Sequence, residues 1–261
     1  ASGPGVAVIH TDSLISCTTP RPVTVGTEVL RLDFGGLGDA PAAHLDVVSS
    51  FLAYDAASIS LSAIFPAGGR YNLQTAATIT GAGFIYGAPR CRFGDFEGDV
   101  GSVLDATRVT CTKPPFPDSQ RNSLGAYVVV VAANGQCYSP SSLTFVTYKS
   151  QLSSIDMSGS PSSSSIPLTL TGEDFVEPAL PGAACAFQMN ASDSISTSYT
   201  PLATLSSTLA SCPTPVGALV GTWSVSLMQN GLTPEPTLFG TPSFTTYDLA
   251  AVSVLELTPP G

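Results

Sequence analysis

Three copies of a C-x-x-P segment divide this 261-residue chain at regular intervals. They are CTTP, CTKP and CPTP, with spacings of 94 and 101 residues, and they begin at Cys17, Cys111 and Cys212. A second landmark, a strand-like segment ending in tyrosine, recurs at nearly the same spacing as FLAYD, FVTYK and FTTYD, at Tyr54, Tyr148 and Tyr247. Two independent landmarks that share one period indicate an array of similar domains rather than one large fold.

Within the two complete periods a further pair of segments recurs in order. TITGAGF and TLTGEDF are each followed by a C-x-F segment, CRF and CAF. A glycine that closes a strand permits a positive φ angle at a tight turn or bulge. We therefore predict such a turn at Gly81 and Gly172, after which Phe84 and Phe175 return to the core.

Composition indicates the secondary structure of these domains. Charged residues make up only 11% of the chain, while 24 glycines and 22 prolines punctuate segments rich in Ser, Thr and Val. Apolar residues do not keep helical spacing for more than two turns, and the longest apolar runs, such as AYVVVVAA, have the length of a strand. The chain is predicted to be all-β, with many short strands joined by turns.

The order of these motifs resembles that of the IPT/TIG domain. The motifs are the T-G-x-x-F turn, C-x-F, C-x-x-P and the closing aromatic strand. This family is an immunoglobulin-like β-sandwich found in plexins, other cell-surface receptors, some transcription factors and bacterial surface proteins. The resemblance implies tandem sandwiches at residues 55–148 and 149–247. Residues 1–54 look like the second half of such a domain, because they lack the T-G-x-x-F and C-x-F segments, and residues 248–261 look like the first strand of another.

The six cysteines occur in related contexts and not as CxxC pairs with histidines, which indicates disulfides and an oxidising compartment rather than a zinc site. The family resemblance implies one disulfide in each complete domain. These are Cys91 with Cys111 and Cys185 with Cys212. Cys17 lacks the partner that the family would supply, and Cys137 lies in ANGQCYSP, which is typical of a hairpin turn. Either these two cysteines pair, within a chain or between chains, or both remain free thiols.

Charge and hydropathy exclude several classes of partner. The net charge of −10, with only two lysines, disfavours nucleic acids and anionic membranes. The chain has no apolar run of 18 residues, so no membrane span is predicted, and we expect a processed, secreted or cell-surface protein.

Asn190 begins the sequon NAS, for which we predict an exposed loop and glycosylation. Stretches such as SGSPSSSSIP are candidates for O-linked sugar.

Catalytic chemistry has little support in the sequence. Neither His10 nor His44 has neighbours that compose a nucleophile, base and orienting acid, so no enzyme activity and no cofactor are predicted. Asp95, Glu97 and Asp99 alternate along one segment, an arrangement that can attract calcium. The segment lacks the length and pattern of an EF-hand loop, and we therefore expect a solvated loop and no metal site.

The incomplete first domain suggests a function. A sandwich that lacks strands exposes an apolar groove and unpaired backbone groups, which another strand can fill. The segment VSVLEL places Val252 and Val254 on one side and Leu255 and Leu257 on the other, so it can pair by its backbone and bury both faces. We expect it to complete the first domain of the next copy, giving a head-to-tail filament built only from copies of this chain.

Other accounts of the same pattern remain open. The segment 248–261 is shorter than the half-domain that is missing, and three explanations are open. A neighbouring copy contributes more residues than these, the first domain is a smaller variant of the fold, or the 261 residues are a window of a longer covalent array. The main alternative function is a segment of a cell-surface receptor or adhesin ectodomain that binds a protein or a glycan. A weaker alternative is an accessory domain of a carbohydrate-active enzyme.

Overall fold

The computed structural model describes residues 7–11, 13–18, 26–34, 43–84, 87–117, 125–135, 137–191 and 194–252, with only the backbone described at residues 26–34, 43–52, 190, 191 and 194. The chain divides into two units, Ala1–Ser58 and Ile59–Gly261. The second unit contains two complete β-sandwiches, called sandwich 1 and sandwich 2 below.

The described residues of the first unit form two antiparallel hairpins and one turn of 3₁₀ helix. Its elements are β1 (Ala7–Thr11), β2 (Leu14–Cys17), β3 (Gly26–Phe34), β4 (Ala43–Ala53) and the 3₁₀ turn Ala56–Ser58. β1 pairs with β2, and β3 pairs with β4. Apolar side chains of the first hairpin, including Val8, Ile9 and Leu14, are exposed. This unit therefore forms two separate two-stranded sheets, which we call the half-sandwich (β1–β4).

Sandwich 1 contains nine described strands. They are β5 (Ser60–Phe65), β6 (Gly68–Arg70), β7 (Thr75–Ala82), β8 (Arg90–Phe93), β9 (Phe96–Val100), β10 (Ser102–Asp105), β11 (Arg108–Lys113), β12 (Gly125–Ala132) and β13 (Thr144–Tyr148). One sheet has the order β10-β11-β7-β5 and the other β6-β13-β12-β8-β9. All pairs are antiparallel except β6 with β13, which is parallel.

Sandwich 2 repeats this topology strand for strand. Its strands are β14 (Gln151–Ile155), β15 (Gly159–Pro161), β16 (Pro167–Glu173), β17 (Ala184–Ala191), β18 (Ser194–Pro201), β19 (Ala203–Ser206), β20 (Leu209–Pro213), β21 (Gly221–Met228) and β22 (Ser243–Tyr247). The sheet orders are β14-β16-β20-β19 and β15-β22-β21-β17-β18. A 3₁₀ turn, Leu249–Ala251, follows β22. The all-β prediction is confirmed.

The cores follow from period-two alternation in the strands. In β20 the buried residues are Ala210 and Cys212, and in β16 they are Leu168, Leu170 and Gly172. These side chains meet those of β17, β21 and β22 in one buried cluster that contains Phe187, Trp223, Val225, Leu227 and Phe244. Alternating burial with a half-solvated outer face is what antiparallel sheets require, because only one face packs on the core.

The T-G-x-x-F turn differs from the prediction. Gly81 and Gly172 are not at positive φ; positive φ occurs two residues later, at Gly83 (81°) and Asp174 (53°). Each glycine instead lies opposite a bulge in the neighbouring strand, where a Cβ atom would overlap a backbone oxygen, that of Ser60 beside Gly81. Glycine is needed at this position for close backbone approach, not for its freedom in φ.

Candidate functional site: the half-sandwich and the sandwich ends

The hairpin before each C-x-x-P segment has the same turn in all three copies. A side-chain oxygen accepts a hydrogen bond from the backbone N–H two residues on. The pairs are Thr11 with Ser13 (3.3 Å), Asp105 with Thr107 (2.8 Å) and Ser206 with Thr208 (3.2 Å). Such turns are formed by Asp, Ser and Thr alike, so the geometry persists although the residues differ. β1 and β2 are therefore the counterparts of β10–β11 and β19–β20.

The half-sandwich corresponds to the last four strands of a complete sandwich. In sandwich 1, β11 also pairs with β7, β12 with β8, and β13 with β6. No strand among the described residues of the first unit occupies the place of β6, β7 or β8. The corresponding edges of β2, β3 and β4 are positions at which added strands would complete the fold.

The chain after β22 begins as the chain before β5 does. Asp55 Oδ1 accepts a hydrogen bond from Ala57 N at 2.9 Å, and Asp248 Oδ1 accepts one from Ala250 N at 2.9 Å. Each aspartate starts a 3₁₀ turn, and the first of these turns leads into β5. The described part of the chain up to residue 252 thus repeats the connection that precedes a first strand.

Of the four residues predicted to form the assembly strand, Val252 is described and exposed. Val254, Leu255 and Leu257 lie outside the described residues. Their pairing stays a prediction.

A buried ion pair joins sandwich 1 to sandwich 2. Arg70, at the end of β6, donates from Nη1 to Ser150 O (2.8 Å) and to Glu235 Oε2 (3.0 Å). The exposed fraction is 12% for the Arg70 side chain and 0% for that of Glu235. Burial raises the pKa of Glu235 above its usual range, while the Arg70 guanidinium opposes that rise. At this junction the desolvated carboxylate of Glu235 therefore faces the Arg70 guanidinium.

Apolar contacts surround this ion pair. Tyr148, Val176 and Leu180 form a buried cluster, and Val146 packs against it. A Cβ atom on Gly68 would lie 2.5 Å from Leu180 Cδ1, so glycine allows this close contact. Beside the cluster is an apolar recess of about 410 Å³, lined by Gly125, Ala126, Val146 and residues 176–181. The two sandwiches are thus packed together rather than joined only by a linker.

Lys113 holds a loop at the same end of sandwich 1. Its Nζ donates to three carbonyls, those of Arg70 (2.9 Å), Tyr71 (2.7 Å) and Leu73 (3.1 Å), and lies 4.4 Å from the centre of the Phe116 ring. Burial lowers the pKa of Lys113 to about 8. Three acceptors satisfy all three ammonium protons, so this cation fixes the chain that follows β6.

No sequence motif identified Arg70, Lys113 or Glu235 as functional. The one signal in the sequence was that Lys and Arg are rare, with only nine in the chain, so each of these cations was a candidate for a specific role. The partners of these residues, in contrast, are far away in the sequence and follow no motif.

The structure contains the two disulfides that the family resemblance implies. Cys91 pairs with Cys111 and Cys185 with Cys212, at Cα–Cα separations of 6.0 and 6.3 Å, within the usual range. Each disulfide links the two sheets of its sandwich across the core. Cys17 is exposed and forms no disulfide with any described residue, and Cys137 also lies at the surface. Pairing of these two cysteines stays a prediction.

Asn190 does not lie in a loop. It is the penultimate residue of β17, opposite Ile195 of β18 in the antiparallel register. The prediction of a loop was wrong because alternating Ser and Thr residues suit an exposed edge strand as well as a turn. Glycosylation of Asn190 stays a prediction.

The other candidate residues form no chemical site in the described part of the chain. His10 Nε2 lies 2.7 Å from Ser16 Oγ on the exposed first hairpin, and His44 lies in β4. Glu97 pairs with Arg90 at 3.0 Å, and Asp99 is exposed. No group of three metal-binding side chains occurs among the described residues. None of the described helices is long and apolar enough to span a membrane.

Two nine-stranded sandwiches of the same topology, each with a disulfide across its core, define a tandem immunoglobulin-like all-β protein. Residues 60–145 match the IPT/TIG domain family. Sandwich 1, which these residues occupy, thus matches the IPT/TIG domain that the sequence motifs resemble. Folds of this kind are typically non-enzymatic. No curated protein matches the sequence significantly.

Two solved structures are similar to this chain. The full extracellular region of plexin A4 is similar over 94% of this chain, with a TM-score of 0.51 and 13% identity, and the chain spans about 21% of its length. The Escherichia coli adhesin FdeC is similar over 89% of this chain and 76% of its own, with a TM-score of 0.31 and 16% identity. The low identities limit the first likeness to the fold.

Proposed function

We propose that the protein is a structural subunit of an extracellular filament or surface fibre, assembled head-to-tail from copies of itself. The observation that supports this is the half-sandwich, whose four strands correspond to the last four of a complete sandwich. Its open edges accept strands that the described residues of its own unit do not supply. Strand addition at such an edge recovers backbone hydrogen bonds worth about 0.5–1.5 kcal/mol each.

The donor in this proposal is the segment after Asp248 of a neighbouring copy. The turn that starts at Asp248 repeats the one at Asp55, which leads into β5. A strand that follows it would add to an open edge of β2, β3 or β4, with Val254, Leu255 and Leu257 contributing apolar side chains. Because donor and acceptor are different surfaces, the contact is heterologous, and it produces an open chain unless it closes into a ring.

The packed junction suits a load-bearing subunit. Arg70, Glu235 and the cluster around Tyr148 hold sandwich 2 on sandwich 1. A disulfide in each sandwich indicates an oxidising compartment and thus an extracellular or surface protein.

The test is assembly of the 261-residue protein, measured as particle length by negative-stain electron microscopy. Leu255→Pro removes a backbone donor from the proposed strand, so we expect it to leave short particles or monomers. Phe239→Pro, in an exposed loop of sandwich 2, is the matched control and should assemble like the parent. A synthetic peptide of residues 248–261 should cap the half-sandwich and shorten the filaments, whereas a scrambled peptide should not.

Three outcomes decide the question. Long particles that Leu255→Pro and the peptide both shorten support strand donation. Long particles unaffected by either treatment contradict it. Monodisperse monomers from the parent and from every variant also contradict it.

The second candidate is a receptor or adhesin ectodomain segment that binds a protein or glycan ligand. The fold shared with the plexin A4 extracellular region favours it. A parent protein that remains monomeric and binds a cell surface or glycan array in a saturable manner would support this candidate over the filament.

A further inference from the structure

One end of sandwich 1 carries a short ladder of backbone hydrogen bonds between its loops. Tyr71 N donates to Tyr148 O (3.0 Å), and Phe116 N donates to Tyr71 O (2.7 Å). This is the end on which sandwich 2 packs, and Tyr71, Phe116 and Tyr148 are all buried, with no exposed area at Tyr148. At Tyr148 this end is covered by Val176 and Leu180 of sandwich 2, whereas the ring of Phe116 packs on Phe96 and Tyr127 of its own sandwich.

Sandwich 2 has the same ladder at the corresponding end. Ser162 N donates to Tyr247 O (2.8 Å), and Gly217 N donates to Ser162 O (2.8 Å). Ser162, Gly217 and Tyr247 follow the same strands as Tyr71, Phe116 and Tyr148, and Pro161 ends β15 as Arg70 ends β6. The two ends are equivalent in backbone structure, so they can be compared residue by residue.

The equivalent end of sandwich 2 is apolar and exposed. We call it the terminal face, and its residues are Pro161, Val216, Leu219, Val220, Tyr247 and Leu249. Tyr247 is 38% exposed where Tyr148 has no exposed area, while Val216 is 66% exposed and its counterpart Pro115 is exposed as well. Hydrogen bonds from Thr246 Oγ1 to Leu219 O and Gly221 O hold the loop 216–220 against β22, so these side chains are neighbours.

The two faces differ in charge. In sandwich 1 the position at the end of β6 is Arg70, which pairs with Glu235, whereas the terminal face has Pro161 at that position. None of these six side chains is charged, and the exposed Asp248, between Tyr247 and Leu249, accepts a hydrogen bond at Oδ1 from Ala250 N (2.9 Å) in its own turn. A partner on this face would therefore gain its affinity from apolar burial, about 25 cal/mol per Å² removed from water, and not from an ion pair.

We propose that the terminal face binds an immunoglobulin-like sandwich of a second copy of this chain, as the equivalent end of sandwich 1 binds sandwich 2. This inference rests on the proposed head-to-tail assembly and names a second contact in it, besides the donated strand. The repeated ladder argues for this occupant, because the same backbone framework already carries a sandwich within this chain. The intermolecular junction is apolar where the intramolecular one is ionic.

The test measures the critical concentration for assembly by light scattering. The double variant Val220→Ser, Tyr247→Ser removes two exposed side chains of the terminal face that flank the register pair of Gly221 and Thr246. The control is Phe239→Ser, which removes an 85% exposed ring from the opposite end of the β21–β22 hairpin. We expect the double variant to raise the critical concentration about tenfold or more, and the control to change it less than about twofold.

Salt gives a second readout. Because the face lacks an ion pair, added salt should act by screening the repulsion between copies of net charge −10, so the critical concentration should fall, and not rise, between about 0.05 and 0.5 M NaCl. Unfolding of each variant, followed by Trp223 fluorescence, should match the parent, which shows that sandwich 2 is intact.

Leu255→Pro, measured in parallel, separates this inference from the proposed function. If Leu255→Pro blocks assembly and the double variant assembles like the parent, the terminal-face contact is wrong and strand donation stands. If the double variant blocks assembly and Leu255→Pro does not, the terminal face stands and strand donation is wrong. A parent protein that stays monomeric at all concentrations overturns both.

Discussion

Removing one partner of the ion pair between the sandwiches should uncouple them. The 3.0 Å bond between Arg70 Nη1 and Glu235 Oε2 places the two charges about 4 Å apart, worth about 4 kcal/mol at an effective dielectric constant of about 20. Glu235→Ala leaves a buried guanidinium with Ser150 O as its remaining acceptor. Since Arg70 retains 12% exposure and can regain some water, we expect a loss near the low end of the 3–5 kcal/mol range, about 3 kcal/mol.

The reverse change should cost less. In Arg70→Ala the Glu235 carboxylate, whose pKa burial already raises, can take up a proton and avoid an isolated charge. We expect a loss of about 2 kcal/mol, and about 2 kcal/mol of coupling between the two substitutions in a double-mutant cycle. For this carboxyl the folded-state pKa exceeds the unfolded one, so its contribution to stability falls as pH rises from about 4.5 upward.

The assay is urea unfolding followed by the fluorescence of Trp223, the single tryptophan, which is buried in sandwich 2. It reports the free energy of unfolding of the sandwich that contains Glu235. The control is Glu97→Ala in sandwich 1, which removes a 3.0 Å ion pair with Arg90 whose side chains are 42% and 41% exposed; followed by circular dichroism, because Trp223 lies in sandwich 2, it should cost less than about 1 kcal/mol. If the effects of Arg70→Ala and Glu235→Ala add to within about 0.5 kcal/mol, the ion pair does not couple the sandwiches.

Three further predictions concern single sandwiches. Replacing Cys185 and Cys212 by alanine opens a loop of 27 residues and should lower the unfolding free energy by about 3.6 kcal/mol on the chain-entropy model, measured by urea unfolding; an unchanged midpoint would contradict the disulfide. Gly172→Ala should lower the free energy of unfolding by more than about 3 kcal/mol, because the added Cβ would overlap backbone atoms. Gly217→Ala, which has open space but a φ of +70°, should lower it by only about 1 kcal/mol. Equal losses for the two variants in thermal unfolding would refute the packing argument. The pKa of Lys113 is about 8 in the folded protein and 10.5 ordinarily, so the unfolded state binds more protons between these two pH values. The free energy of unfolding, relative to that of Lys113→Met, should therefore rise with pH across this window. Parallel pH profiles of the two proteins would count against this prediction.

Features that repeat along the chain were predictable from sequence. The period of C-x-x-P and of the closing tyrosines identified the domain array, and the family resemblance supplied the pairing of Cys91 with Cys111. Residues 1–54 were predicted to be an incomplete copy because they lack T-G-x-x-F and C-x-F segments, and that domain assignment stays a prediction. These features share a physical origin, because strand alternation, turns and disulfide loops depend on residues at fixed separations within one domain.

Local geometry within those motifs was less accessible. Gly81 was assigned positive φ, yet the structure places the positive φ at Gly83 and uses Gly81 for close approach to β5. Asn190 was assigned to a loop and lies in β17. A glycine or a segment rich in Ser and Thr signals an unusual backbone position, but which constraint acts there depends on the neighbouring strand.

Only the tertiary structure decided how the sandwiches meet. Arg70 and Glu235 are 165 residues apart and belong to different domains, and Lys113 binds carbonyls about 40 residues away. The terminal face likewise became visible only when Tyr247 was compared with Tyr148 in its buried setting. Sequence periodicity determines which strands and turns each domain forms, but the contacts between domains depend on which surfaces the folded sandwiches present to each other, and no fixed spacing along the chain encodes that.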